Sequence, residues 1–341
     1  MYKIFVTRKI DETGLNLLKQ KYSIVFNNSY LSPSKQDLIK GVKGVDAILC
    51  TLSEKIDSDI MDEAGNNLKV ISTYSTGYEH VDIEEASRRG IYVTNTGNIL
   101  AEATADLTFA LILAVGRRIV EGHKYVVANK WKSGWMPNLF VGKNIFNSTL
   151  GILGLGNIGF AVARRAKAFK MKVIYNNRHR LNTKVEKKLG VKFVDKVKLF
   201  QNSDFLSIHV NLQKENYHLV SMDELKMMKK TAFLINTSRG SVIDEKSLTI
   251  ALDKNWISGA GLDVFETEPI KKNNPLLNKN NVIILPHIGS ASKETRAKMS
   301  QVAGLNIINI LEGKRPLYLV NKQLLRSISK KKSSQRFGDL L

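Results

Sequence analysis

The chain has 341 residues, 43% of them hydrophobic, and carries a formal net charge of +21 at pH 7 from 52 Lys and Arg against 31 Asp and Glu. That length exceeds one ordinary core and suits two domains, and no run approaches the ~18 consecutive apolar residues that a membrane span needs. The single cysteine, Cys50, excludes an internal disulfide, and the opening Met1-Tyr2-Lys3-Ile4-Phe5-Val6 lacks the apolar core and cleavage site of a secretory signal, so a cytoplasmic location is expected.

Short apolar runs follow one another along the chain. Strands are expected at Ile4–Val6, Ala47–Leu49, Val70–Ile71, Ile91–Val93, Leu150–Leu153, Val173–Tyr175, Phe205–Ile208, Phe233–Ile235, Gly261–Val264 and Val282–Leu285. They are rich in β-branched and aromatic residues and lack wet/dry alternation, which is how strands buried on both faces of a parallel sheet read. Cys50 closes one such run and reads as a small buried hydrophobe. Helix-period stretches such as Glu12–Lys21 and Gly159–Lys170 lie between the strands, so the fold class is α/β with doubly wound layers. Ala101–Val120 is long and apolar, but Glu102, Asp106, Arg117 and Arg118 argue against a membrane segment. A buried helix between domains, or at a subunit contact, fits it better. From Asn321 the chain is polar and basic and reads as a loose tail, 321–341.

After the strand ending at Leu153 comes Gly154-Leu155-Gly156-Asn157-Ile158-Gly159, then a helical run through Ala161, Val162, Ala163 and Ala166. Gly154 permits a tight turn, Gly156 puts no Cβ in the way of a pyrophosphate, and Gly159 lets the helix pack close to the strand. The helix N-terminus then offers free N–H groups to phosphate. In this strand–turn–helix context the spacing marks a dinucleotide site. Past the next strand, at Asn176-Asn177-Arg178-His179-Arg180, the carboxylate that would hold an NAD ribose is missing. Arg178 and Arg180 suit a 2′-phosphate, so NADP(H) is the favoured cofactor and NAD(H) the alternative. The lysines are otherwise spread along the chain, apart from Lys330–Lys332, with no zinc-ligand spacing and no RNA-binding signature. Nucleic acid is therefore not the expected partner, and the charge favours anionic cofactors and carboxylate substrates.

Three more motifs stand at predicted strand ends: Asn236-Thr237-Ser238-Arg239-Gly240, Asp263-Val264-Phe265-Glu266-Thr267-Glu268-Pro269 and Pro286-His287-Ile288-Gly289-Ser290. Ligands of open α/β sheets bind outside the carboxyl ends of the strands. Reducing a 2-keto acid needs a cation for the carboxylate and carbonyl, which Arg239 offers, and a proton for the developing alkoxide, which His287 can supply. A carboxylate beside such a histidine orients its ring and favours its charged form, a role that suits Glu268.

With these motifs the chain, from about Lys3 to Asn321, resembles the D-isomer-specific 2-hydroxyacid dehydrogenases, and within them the glyoxylate/hydroxypyruvate reductases. Ser72-Thr73-Tyr74-Ser75-Thr76-Gly77-Tyr78 and Gly90-Ile91-Tyr92-Val93-Thr94-Asn95-Thr96 carry the likeness along with the motifs above. The resemblance implies a Rossmann-type domain, 100–287, inserted in a flavodoxin-like substrate domain made of 1–99 and 288–320. It implies Arg239, Glu268 and His287 as the catalytic set, the amides at Thr76 and Gly77 as holders of the substrate carboxylate, and Asp263 facing the nicotinamide carboxamide. Thr237 and Ser238 would line the cofactor alongside Gly154, Gly156, Asn157, Ile158, Gly159, Asn177, Arg178 and Arg180. It further implies a homodimer in which Trp135 reaches the partner subunit's active site. Where the family commonly has a proline near the adenine, this chain has Asn211. Two alternatives stay open: another enzyme of the same chemistry, such as a phosphoglycerate dehydrogenase, and a dinucleotide-sensing regulator like the corepressors that share this fold.

Overall fold

The computed structural model describes residues 1–325. Contacts divide the chain into two units, one of Met1–Leu100 with the chain from Ala291 onward and one of Ala101–Ser290.

In the first unit the order is β1 (Lys3–Val6), α1 (Glu12–Lys19), β2 (Ser23–Phe26), α2 (Lys35–Val42), β3 (Ala47–Cys50), α3 (Ser58–Ala64), β4 (Val70–Thr73), α4 (Ile83–Arg88) and β5 (Tyr92–Thr94). The strands form one parallel sheet in the order β2-β1-β3-β4-β5. β3 and β4 are buried along their whole length, as central strands covered on both faces must be. Helix starts follow the capping rule: Asp11, Ser34, Asp57 and Asp82 each accept a hydrogen bond from an amide of the first turn they precede. Cys50 is fully buried, as its apolar setting predicts.

The second unit runs α5 (Ala101–Gly116), α6 (Ile119–Val127), β6 (Thr149–Leu153), α7 (Asn157–Ala168), β7 (Lys172–Asn176), α8 (Thr183–Leu189), β8 (Val191–Phe193), α9 (Lys196–Asn202), β9 (Phe205–Ile208), α10 (Met222–Met227), β10 (Phe233–Asn236), α11 (Glu245–Asp253), β11 (Gly259–Leu262) and β12 (Val282–Ile284). Its seven strands are all parallel, in the order β12-β11-β10-β9-β6-β7-β8. The chain winds outward from β6 to β8, then returns and winds the other way from β9. One face of the sheet packs on α5 and α7 through Phe109, Ile112, Leu150, Ile152 and Val162. The other is filled by Phe200, Leu206, Leu234, Leu248 and Ala260. After this unit, α12 (Lys293–Leu311) returns to the first, where it packs against α1 and β4.

Apart from strand ends that differ by one or two residues, the structure departs from the sequence reading in four places. It contains two strands the pattern did not mark, β2 and β8, each at a sheet edge where a strand needs fewer apolar residues. The strand expected at Gly261–Val264 begins and ends two residues earlier, as β11. The apolar segment 101–120 is broken at Arg118, which takes a left-handed φ of 54° and starts a new helix. Finally, Asn321 does not begin a loose tail. Its side chain is buried, accepts from Val93 N at 2.9 Å and donates to Ile91 O at 2.8 Å; the remainder of that expected tail, beyond 325, lies outside the described residues. No helix among the described residues is long and apolar enough to cross a membrane.

Candidate active site

β6 delivers the chain into the glycine turn. Gly154 has a φ of +97°, and a Cβ there would lie 2.7 Å from Val210 N and 2.8 Å from the His209 carbonyl carbon, so only glycine fits. Gly159 lies against the Gly154 carbonyl. In front of Gly156 there is open space: a Cβ would meet nothing within 4 Å. Gly156 is the N-cap of α7 and brings no side chain to cap it, so the amides opening that helix, from Asn157 and Ile158 onward, are left for an anion. Asn177, the residue after β7, closes the turn by accepting from Leu155 N. An open cradle at an uncapped helix terminus fits a dinucleotide pyrophosphate.

The two arginines beyond β7 differ in state. Arg180 is engaged: its guanidinium makes a fork to Glu186, Nε at 2.9 Å and Nη2 at 2.8 Å. The Tyr175 hydroxyl donates to the same carboxylate at 2.6 Å. Arg180, then Tyr175, holds the Glu186 carboxyl down to about 2. Sequence reading missed this partner because Glu186 sits on α8, a turn of helix away from the motif. Arg178 is exposed and pairs loosely with Glu215, at 3.8 Å. Asn211 uses its carbonyl to accept from Asn216 Nδ2 at 2.8 Å.

Three adjacent strand ends then bring the polar cluster together. β10 leads to Arg239, β11 to Asp263 and Glu268, and β12 to His287. The Nδ1 of His287 lies 2.7 Å from Glu268 Oε2, and Glu268 Oε1 accepts from Phe265 N at 3.0 Å. Burial pushes the Glu268 carboxyl up, but His287, the Phe265 amide and the nearby Arg239 charge outweigh it, and the group ends below the usual carboxylate range. Asp263 is buried, and burial leaves its carboxyl above the usual range although it accepts from Ile288 N at 2.8 Å and Gly289 N at 2.7 Å. With His287 N donating to the Asp263 carbonyl at 2.9 Å, these bonds hold His287 in a left-handed φ of 54°.

Arg239 is placed by Asn236, which the sequence reading did not single out. The Asn236 side chain donates to the Arg239 carbonyl at 2.9 Å and accepts from the Ser238 amide and hydroxyl. A Cβ on Gly240 would fall 1.8 Å from the Phe265 carbonyl carbon, so the Arg239 turn lies flush against the stretch that carries Glu268. The Thr237 hydroxyl lies 2.9 Å from that of Thr108 on α5. Thr237 and Ser238 thus spend their hydroxyls on the turn and on α5.

In the first unit, Thr76 and Gly77 follow β4. The Thr76 hydroxyl donates to Gly97 O at 2.6 Å, Asn95 Nδ2 donates to Thr76 O at 2.7 Å and Ser75 Oγ donates to Gly77 O at 2.6 Å. The Thr76 and Gly77 amides take no part in these bonds. Tyr74 is buried, with its hydroxyl on Arg296 O at 2.7 Å. Trp135 lies in the loop after α6 and is 86% exposed.

A doubly wound parallel sheet with a glycine turn at β6 and a His–Glu pair beside an arginine at neighbouring strand ends defines a dinucleotide-dependent oxidoreductase. Residues 109–289 match the family described as D-isomer specific 2-hydroxyacid dehydrogenase, NAD binding domain. The chain is 45% identical over 324 residues to a glyoxylate reductase of Korarchaeum cryptofilum, covering 95% of this chain and 97% of that one. Among solved structures it resembles the TT0316 protein of Thermus thermophilus, with a TM-score of 0.87, 40% identity and coverage of 93% and 99% of the two chains. It also resembles an NADPH-dependent glyoxylate/hydroxypyruvate reductase of Sinorhizobium meliloti in complex with NADP and malonate, with a TM-score of 0.81, 30% identity and coverage of 94% and 96%. The chain belongs to the D-isomer-specific 2-hydroxyacid dehydrogenase family, and its cofactor is a nicotinamide dinucleotide.

Proposed function

We propose that the chain reduces small 2-keto acids, glyoxylate and hydroxypyruvate first, to the corresponding 2-hydroxy acids. The observation that carries this reading is the His287–Glu268 pair at 2.7 Å, beside Arg239, at the ends of strands in the same parallel sheet as β6, whose end carries the glycine turn. When bound, the dinucleotide supplies the hydride that the carbonyl carbon receives. His287 holds the proton at Nε2, the nitrogen that Glu268 does not engage, and delivers it to the substrate oxygen. Glu268 keeps the ring oriented through its contact with Nδ1. Arg239 draws the carboxylate in and polarises the carbonyl with a fork of N–H donors. The Thr76 and Gly77 amides are the proposed further donors to the substrate carboxylate.

NADP(H) is the proposed preference, with Arg178 rather than Arg180 meeting the 2′-phosphate, because Glu186 already engages Arg180. Charge supports an anionic cofactor here. Between residues 164 and 198, the stretch that forms α7 to α9, stand 13 Lys and Arg against two Asp and Glu. The similar reductase of Sinorhizobium meliloti, solved with NADP, is NADPH-dependent, which supports the same preference.

The active form is proposed to be a homodimer. Ile119, Val126, Val127, Trp131, Trp135 and Val141 are all exposed in one stretch of chain, an apolar concentration that a second copy would cover. Trp135 is the residue proposed to reach the partner subunit's site. The first unit with its α12 is read as the substrate domain and Ala101–Ser290 as the cofactor domain. The reading is tested by following dinucleotide oxidation with glyoxylate and hydroxypyruvate, using NADPH and NADH in parallel.

A further inference from the structure

β6 and β9 are neighbours in the second sheet, and the winding reverses between them. Ligands of such sheets bind outside the strand ends at that switch point. β6 leads to the glycine turn; β9 leads to His209, which has no part in the reaction described above.

His209 is fitted closely to the turn. Its amide donates to Leu153 O at 2.8 Å, and the His209–Val210 peptide is the group that excludes a Cβ from Gly154. Its ring folds back along β9, where Nε2 lies 2.7 Å from the hydroxyl of buried Ser207. Burial pushes the imidazole down to about 3, so the ring is neutral at working pH. A neutral ring has one donor and one acceptor nitrogen, and Ser207 takes one of them. The other, Nδ1, is buried and meets no hydrogen-bond partner among the described residues. Buried ring nitrogens are rarely left so, and an orphaned one at a binding site points to a ligand.

We infer that His209 is a further dinucleotide-binding residue, its Nδ1 hydrogen-bonded to a ribose hydroxyl of the bound cofactor. A hydroxyl both gives and takes, so it suits either tautomer of the ring, whereas a phosphate oxygen accepts only. The inference rests on the reading of the glycine turn as the pyrophosphate site. It is separate from the choice between NADP(H) and NAD(H), because the hydroxyl concerned is one that both dinucleotides carry.

Two substitutions divide the ring's functions: the amide of Asn stands near the place of Nδ1, and that of Gln near the place of Nε2. Dissociation constants for NADPH and NADH are read from tryptophan fluorescence with no keto acid present, and the melting temperature is read without dinucleotide. His209→Gln is expected to keep the Ser207 bond and the melting temperature but to weaken both dinucleotides about tenfold, the size of one lost hydrogen bond. His209→Asn is expected to stay within about threefold of the parent chain. The reverse order, with Gln intact and Asn weak, would mean that the ring serves only Ser207, and it would overturn the inference. Equal affinities in all three chains, or equal losses in both variants, would overturn it as well. A parent chain that binds neither dinucleotide would instead overturn the reading of the turn.

Discussion

Asp263 and Gly289 are joined by a hydrogen bond of 2.7 Å, carboxylate to backbone amide, and through it the strand end that carries Asp263 sets the conformation of the catalytic candidate two residues before Gly289. His287 does not reach Glu268 because its backbone prefers to. It holds a φ of 54° because Asp263 takes the two amides that follow it and receives the amide of His287 itself. The expected contact of Asp263 with the nicotinamide carboxamide remains a proposal; this structural duty is additional to it.

Asp263→Asn therefore replaces one of two acceptor oxygens with an NH2 group facing an N–H. The expected loss is about 1–3 kcal/mol, the cost of an unmet buried hydrogen bond, which in a domain of this size lowers the melting temperature by about 2–4 °C for each kcal/mol. A thermal melt checks it, and an unchanged melt would remove Asp263 from this role.

Glu268→Gln keeps the shape of the side chain and removes its charge. The kcat for keto acid reduction is expected to fall at least tenfold, with the dinucleotide dissociation constant within about threefold. The carboxyl sits below the usual range, so in the parent chain its charge, and the stability that charge adds, is present above the unfolded value and is lost only as the pH falls through the lowered one. The stability gap between parent and variant should narrow in acid, as pH-dependent denaturant melts would show.

Glu186 provides a sharper acid test. With its carboxyl held at about 2 against an ordinary 4.5, its contribution is complete above 4.5 and disappears as the pH falls through about 2. Glu186→Gln should differ most from the parent near neutrality and converge with it in strong acid. The same change releases Arg180, so NADPH affinity relative to NADH should rise, whereas Arg178→Gln should lower it. Dinucleotide titrations of the two variants check both directions, and a fall in the NADPH/NADH ratio in Glu186→Gln would contradict the assignment to Arg178.

Gly240→Ala places a Cβ where the Phe265 carbonyl carbon lies, 1.8 Å away, so one of the two turns must move. Misplacing Arg239 by about an ångström is expected to lower kcat/KM on the order of a hundredfold, while dinucleotide affinity stays close to that of the parent. Steady-state kinetics beside a binding titration would separate the two.

Much of the site could be read from residue order, because its chemistry sits at strand ends that glycine and apolar runs mark. The glycine turn, Arg239, Glu268 and His287 each follow a buried strand directly. What the sequence hid were the partners that come from elsewhere in the chain. Glu186 lies on a helix beyond the arginine it binds, Asn236 looks like the last residue of a strand, and the orphaned nitrogen of His209 exists only once Ser207 and the turn have packed around it. The two edge strands escaped for a related reason: β2 is only half-buried and β8 carries a lysine at its centre, so neither shows the continuous apolar run of a central strand.

The central claim is tested most directly by mixing the purified chain with NADPH and glyoxylate and following absorbance at the reduced nicotinamide band, with His287→Ala as the comparison. The account predicts steady oxidation by the parent chain, a fall of about a hundredfold or more in His287→Ala, and dinucleotide binding retained in both. Oxidation by neither chain with glyoxylate, hydroxypyruvate or other 2-keto acids, using either NADPH or NADH, would contradict it.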